Sequence, residues 1–206
     1  MMKEEPTLGR QALKSKITRE KIISAVVSLI KEGGFSAAST SRISERAGIT
    51  WGAAQHHFGS KEEILDAVME MSHERFTTLM SGDELRRGAL AERVDKFVDR
   101  MWQHYQDDLY LAQMEILLAT RADPSRPGRP GVFELHSRDH LRTLREIFPD
   151  CKHGDDQMID ALIFVHCFLT GLSIEKVFES EHNEIRHIDV HLKRIKVLLL
   201  GLLSFG

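Results

Sequence analysis

Gly48 and Gly59 punctuate residues 40–61, T-S-R-I-S-E-R-A-G-I-T-W-G-A-A-Q-H-H-F-G-S-K, and leave room between them for little more than two turns of helix. Thr40 is a good N-cap, Ile43 and Ala47 fall four apart on one face, and Gly48 ends that first helix. Ile49 is expected to plug inward. Thr50 then caps a second helix from Trp51 to His57, with Phe58 as its last buried anchor and Gly59 as its stop. Ser60 and Glu63 spell the S-x-x-E capping box of a third helix.

Two helices joined by a Gly-containing turn of three or four residues form the helix-turn-helix plan, whose second helix enters the DNA major groove. A helix precedes the pair: Thr18 is read as its cap, Ile22, Ile23, Val26, Val27 and Ile30 as its apolar stripe, and Gly33-Gly34 as its end. Phe35 is expected to join Ile43, Ile49 and Phe58 in one small core. Residues 1–16 carry Lys3, Arg10, Lys14 and Lys16 with Pro6 and Gly9, and read as a flexible basic arm. The expected division is an arm (1–16), a three-helix domain (17–62) and a larger helical domain (63–206).

The run I-T-W-G-A-A-Q-H-H-F-G-S-K-E-E-I-L resembles the turn, recognition helix and following helix of TetR-family transcriptional regulators, whose usual form is roughly V-S-K-G-T-L-Y-H-Y-F-x-S-K-E-E-L-L. The resemblance covers about the first 65 residues; the remainder matches only in length and helical character. It implies phosphate contacts at Thr40, Thr50 and Lys61, all near helix starts, where free amides and the dipole favour anions. Ser41 stands where the family often has a basic residue, a charge that Arg42 can supply from next door. Trp51 replaces a common Lys, and its indole can donate to a phosphate or lie over the neighbouring helix. Gly52 permits close backbone approach, and Ala53 can meet a thymine methyl, whereas Ala54 is expected to face inward. Gln55 replaces the usual Tyr and can pair bidentately with adenine. His56 and His57 complete the expected contact set.

Charge supports this division modestly. Lys and Arg outnumber Asp and Glu by 9 to 5 in residues 1–60, against 19 to 26 in the rest. Cys151 and Cys167 form neither metal spacing nor a disulfide framework, so a reduced, cytoplasmic setting is the default. The apolar stretch from Ala161 to Leu172 is interrupted by His166 and is read as too short to span a bilayer.

The fold class expected is all-α, with a helix over residues 61–80 shared between the two domains. Prolines and glycines at 124–131 exclude a helix there. Large side chains recur through the body: Phe97, Met101, Trp102, Tyr105, Tyr110, Met114, Phe133, Phe164 and Phe168. Each is ordinary core by itself. The resemblance implies a cavity among these helices for a small, often apolar effector. In the last helix Ile185, Ile188, Leu192, Ile195, Leu199 and Leu202 recur at 3 and 4, a seam that its own chain or a partner's helices could cover. Beside a helix-turn-helix it favours a homodimer, with Ile159, Leu162, His166 and Leu169 of the preceding apolar helix on the same interface.

The expected function is a ligand-responsive repressor binding a palindromic operator in double-stranded DNA. The alternatives are a metal-responsive regulator, on His136/His140 and His187/His191 at i, i+4, and a constitutive architectural DNA binder. Neither histidine pair has the HExxH character of a zinc site, and no metal or cofactor is expected. Cys151 beside Lys152 and His153 lacks any nameable third catalytic group, so no enzymatic activity is expected.

Overall fold

The computed structural model describes residues 9–122, 137–178 and 188–204, which form nine α-helices and two short 3-10 turns with no strand among them. Two compact units emerge. The first comprises the chain up to Ser72 together with Ala112–Thr120, and the second comprises His73–Leu111 and the chain from Arg121 onward. The division falls at Ser72–His73, within the helix over residues 61–80.

Helix α1 is Arg10–Gly33, eight residues longer at its start than Thr18 suggests. Thr18 does not cap it; its hydroxyl donates to the Lys14 carbonyl at 3.0 Å, within the helix. Residues 10–16 are therefore helical and not part of an arm, whereas residues 1–8 lie outside the described residues. Helices α2 (Thr40–Ala47), α3 (Trp51–Phe58) and α4 (Lys61–Met80) follow. Ile22, Val26 and Ile30 from α1, Ile43 from α2, Ala54 and Phe58 from α3, and Ile64 and Val68 from α4 are buried. Helices as short as α2 and α3 are marginal alone, so this shared core is what makes them helical.

In the second unit, α5 (Leu90–Tyr105) buries Val94, Phe97, Val98, Met101, Trp102 and Tyr105. Helix α6 (Asp108–Thr120) has residues in both units, as does α4. Helix α7 (Ser137–Ile147) leads to Phe148, whose ring meets Phe97 edge-on at 5.4 Å. Helix α8 (Asp155–Val177) and helix α9 (Ile188–Ser204) complete the unit. At 23 residues α8 is long and apolar enough to cross a bilayer by length and composition; Ala161 to Leu172 is only its middle.

Part of the expected dimer seam is closed by its own chain, and Leu202 of that seam stays exposed. Leu162, Leu169, Ile195 and Leu199 are buried within their own chain, and Ile159, His166, Ile188 and Leu192 are half-buried. The reason is that α9 carries two apolar stripes. Ile195, Leu199 and Leu203 point inward, whereas Val197, Leu198 and Leu202 stay 70%, 51% and 46% exposed. Facing them across an open hollow of about 680 Å³ are Ala161 and the exposed Phe164 of α8, with His153, Gln157 and Asp160 also in the lining. Phe164 therefore belongs to an outer surface and not to an inner effector cavity.

Of the remaining effector candidates, Phe97, Met101, Trp102, Tyr105 and Tyr110 are buried and Phe168 is half-buried. Met114 falls in the first unit, and Phe133 lies outside the described residues, as do His136, Ile185 and His187. Tyr105 Oη and His166 Nδ1 are 2.5 Å apart, and Tyr110 Oη lies 2.7 Å from Thr170 Oγ1. The ring of His104 stands edge-on to Phe76, Tyr105 and Tyr110 at 5.2–5.6 Å. Burial pushes the His104 imidazole down to about 4 and Tyr110 up to about 12, so His104 is neutral at pH 7. Cys151 is buried, and its Sγ donates to the Leu203 carbonyl in the last turn of α9 at 3.6 Å.

Candidate nucleic-acid interface

The first unit presents three consecutive helix starts, each closed by a hydroxyl. Ser39, not Thr40, caps α2: its Oγ accepts from the Arg42 amide at 3.4 Å, and Thr40 becomes the first helical residue. Two adjacent hydroxyl residues are equivalent candidates in the sequence; the extended backbone of Ser39 decides between them. Thr50 Oγ1 accepts from the Ala53 amide at 3.2 Å, and Ser60 Oγ accepts from the Glu63 amide at 3.1 Å. Between α2 and α3, Gly48 sits in the left-handed region (φ 68°), letting the Ile49 amide reach back to the Ser44 carbonyl at 3.0 Å.

Along α3 the helical period separates two faces. Ala54 and Phe58 are buried, whereas Gly52, Gln55 and His56 are exposed and Trp51 and Ala53 half-buried. A side chain at Gly52 would meet nothing within 4 Å, so that backbone lies open to a close approach. Thr40, Ser41, Arg42 and Thr50 are also exposed, and Lys61 is half-buried with its Nζ 5.1 Å from the centre of the Phe35 ring. Open hydroxyls, one amide side chain and exposed cationic or imidazole groups suit contacts to phosphates and base edges.

His57 departs from the expected contact set. Its Nδ1 lies 3.3 Å from Ser15 Oγ, and its carbonyl accepts from the Arg19 guanidinium, so this residue is turned toward α1. The helical first half of α1 supplies the cover; a flexible arm would have left His57 open. Two further roles had no signal in the motif. Arg46 forks onto Glu32 with both bonds at 2.7 Å, holding that carboxyl below its usual pKa, and Glu115 of α6 accepts the Phe35 amide at 3.2 Å.

Residues 22–68 match the family model for bacterial regulatory proteins of the tetR family. The transcriptional regulator BetI of Escherichia coli O139:H28 is 30% identical over 202 residues, covering 91% of this chain and 98% of that protein. Among solved structures, the TetR-family regulator PfmR from Thermus thermophilus aligns with a TM-score of 0.61 at 17% identity, over 91% of this chain and 96% of its own. The multidrug binding protein EbrR, solved in complex with imidazole, aligns with a TM-score of 0.61 at 12% identity, over 100% and 99%. At those identities the solved structures share the fold alone. With the family model on its helix-turn-helix and a full-length relative at 30% identity, the chain belongs to the tetR family of DNA-binding transcriptional regulators.

Proposed function

We propose that the protein is a homodimeric repressor that places α3 of each subunit in successive major grooves of a palindromic operator and is released by a small-molecule effector. The observation that carries this reading is the exposed Gly52–Gln55–His56 face of α3, standing between the capped starts of α3 and α4. The exposed apolar surface of α8 and α9 supports a partner subunit, and a dimer sets two recognition helices roughly 34–36 Å apart, one turn of duplex. That EbrR is a multidrug binding protein supports an effector among the helices of the second unit. An effector shifts DNA affinity only by as much as it prefers one arrangement over the other.

The test is selection of bound fragments from random duplex, followed by Gln55→Ala. A palindromic consensus is expected, and Gln55→Ala should cost about 1–3 kcal/mol at one base pair of each half-site while sparing the others. Uniform weakening across all sequences would remove Gln55 from base reading, and no consensus at all would remove the operator.

A further inference from the structure

Helix α3 is eight residues long, and its last carbonyls have no partner within the helix beyond the Gly59 amide, which takes the Gln55 carbonyl at 2.6 Å. The end of so short a helix needs holding if its reading face is to meet base edges at a fixed angle. Arg19 provides the hold from α1. Its guanidinium donates to the His57 carbonyl and lies against the far end of α3, 3.9 Å from the centre of the Phe58 ring. That combines three favourable terms: a charged donor on an orphan carbonyl, a cation at the negative end of a helix, and a cation over an aromatic face. One turn earlier, Ser15 engages His57 Nδ1 at 3.3 Å. By contrast, the Arg46 fork on Glu32 in the same unit joins two solvent-exposed side chains and is the weaker kind of pair.

We infer that Arg19, assisted by Ser15, is a positioning residue for sequence reading: it fixes the C-terminal end of α3 and thereby sets which base edges Gln55 can reach. This rests on α3 being the reading helix. A guanidinium spent on a carbonyl and a ring is not a phosphate contact, and salt dependence tells the two roles apart. Each phosphate neutralised adds about 0.9 to the slope of log affinity against log salt, whereas a positioning group adds nothing.

The experiment compares Arg19→Met, Arg19→Lys and the milder Ser15→Ala with the wild-type dimer. It measures affinity for the selected operator and for random duplex across a salt series, with iodide quenching of tryptophan emission in parallel. Trp51 on α3 is half-buried and Trp102 is buried, so quenching follows α3. In Arg19→Met the operator-to-random ratio should fall roughly tenfold, the loss of one charged hydrogen bond, with an unchanged salt slope and increased quenching. Arg19→Lys, which keeps the charge but not the planar guanidinium that reaches carbonyl and ring together, should remain deficient. Ser15→Ala should move ratio and quenching in the same direction by a smaller factor, which preserves the test if Arg19→Met does not fold. A slope reduced by about one unit and restored by Lys would make Arg19 a phosphate contact and overturn the proposal. An unchanged ratio in Arg19→Met beside a lowered one in Gln55→Ala would overturn the clamp alone. Unchanged ratios in both would overturn the reading helix itself.

Discussion

The outward faces of the two units differ in kind. On α3 the exposed side is polar and interrupted by glycine, while on α8 and α9 it is broadly apolar, with Ile163, Phe164, Ile174, Val197, Leu198 and Leu202 open to solvent. The first face suits a hydrated, charged partner approached closely; the second is costly to leave wet and suits another apolar surface. Burial also differs. The first unit packs aliphatic side chains and Phe58, whereas the second encloses titratable groups, among them His104, Tyr105 and Tyr110. Solvent conditions should therefore act on the body more than on the head.

The largest expected effect tests the apolar face. Leu198→Glu should leave the subunit folded but separate the proposed dimer, because an unpaired carboxylate buried at an interface costs about 3–5 kcal/mol. Leu199→Glu, one residue along, should instead unfold the second unit, since Leu199 is 2% exposed. Sedimentation equilibrium and circular dichroism distinguish the two, and a dimer surviving Leu198→Glu would remove α9 from the interface. Next comes His104. Its folded pKa of about 4 lies below the unfolded value, so the unfolded chain takes up the proton more readily. The stability this group confers is complete above about pH 6.5 and is lost as pH falls toward 4, by about 3 kcal/mol in all. Denaturant titrations at about pH 7 and 4.5 should show that His104→Phe loses less stability than wild type over this interval. Equal losses would mean the imidazole is not the group responsible. The smallest effect sharpens the polar face. Gly52→Ala should stabilise the first unit by roughly 0.5–1 kcal/mol, since a helix prefers Ala and the added methyl meets nothing. The same change should weaken operator binding if DNA backbone or base edges come close there; a variant that gained on both counts would show Gly52 to be free of contact.

Local chemistry is legible in the sequence because it is local. Gly48, Gly59, Thr50 and Ser60 each act within four residues of themselves, and the inward turn of Ala54 follows from its spacing to Phe58. Choices between equivalent neighbours are not legible, nor is what covers a face. Ser39 and Thr40 are interchangeable on paper. Spacing marks Ile188, Leu192, Ile195, Leu199 and Leu202 as one seam but cannot say that the same chain closes it at Ile195 and Leu199 and leaves it open at Leu202, and it gives no sign of Val197 and Leu198 beside it. The start of α1 is masked by polar composition, although Leu13 and Ile17 sit four apart. Without those two turns of helix, Ser15 cannot be set against α3, and His57 is left to the duplex.

The first unit is discontinuous in the chain: Ala112–Thr120 belongs to it, and Glu115 satisfies the Phe35 amide at the turn between α1 and α2. A fragment ending at Ser72 would leave that amide without its acceptor, so the head is not a module to be cut out at the helix junction. During synthesis Glu115 follows Ser72 by a few seconds at about 5–20 residues per second, so that bond is the last of the head's contacts named here to form. A nascent chain stalled shortly after α4 would thus carry all of α3 and still leave the Phe35 amide open.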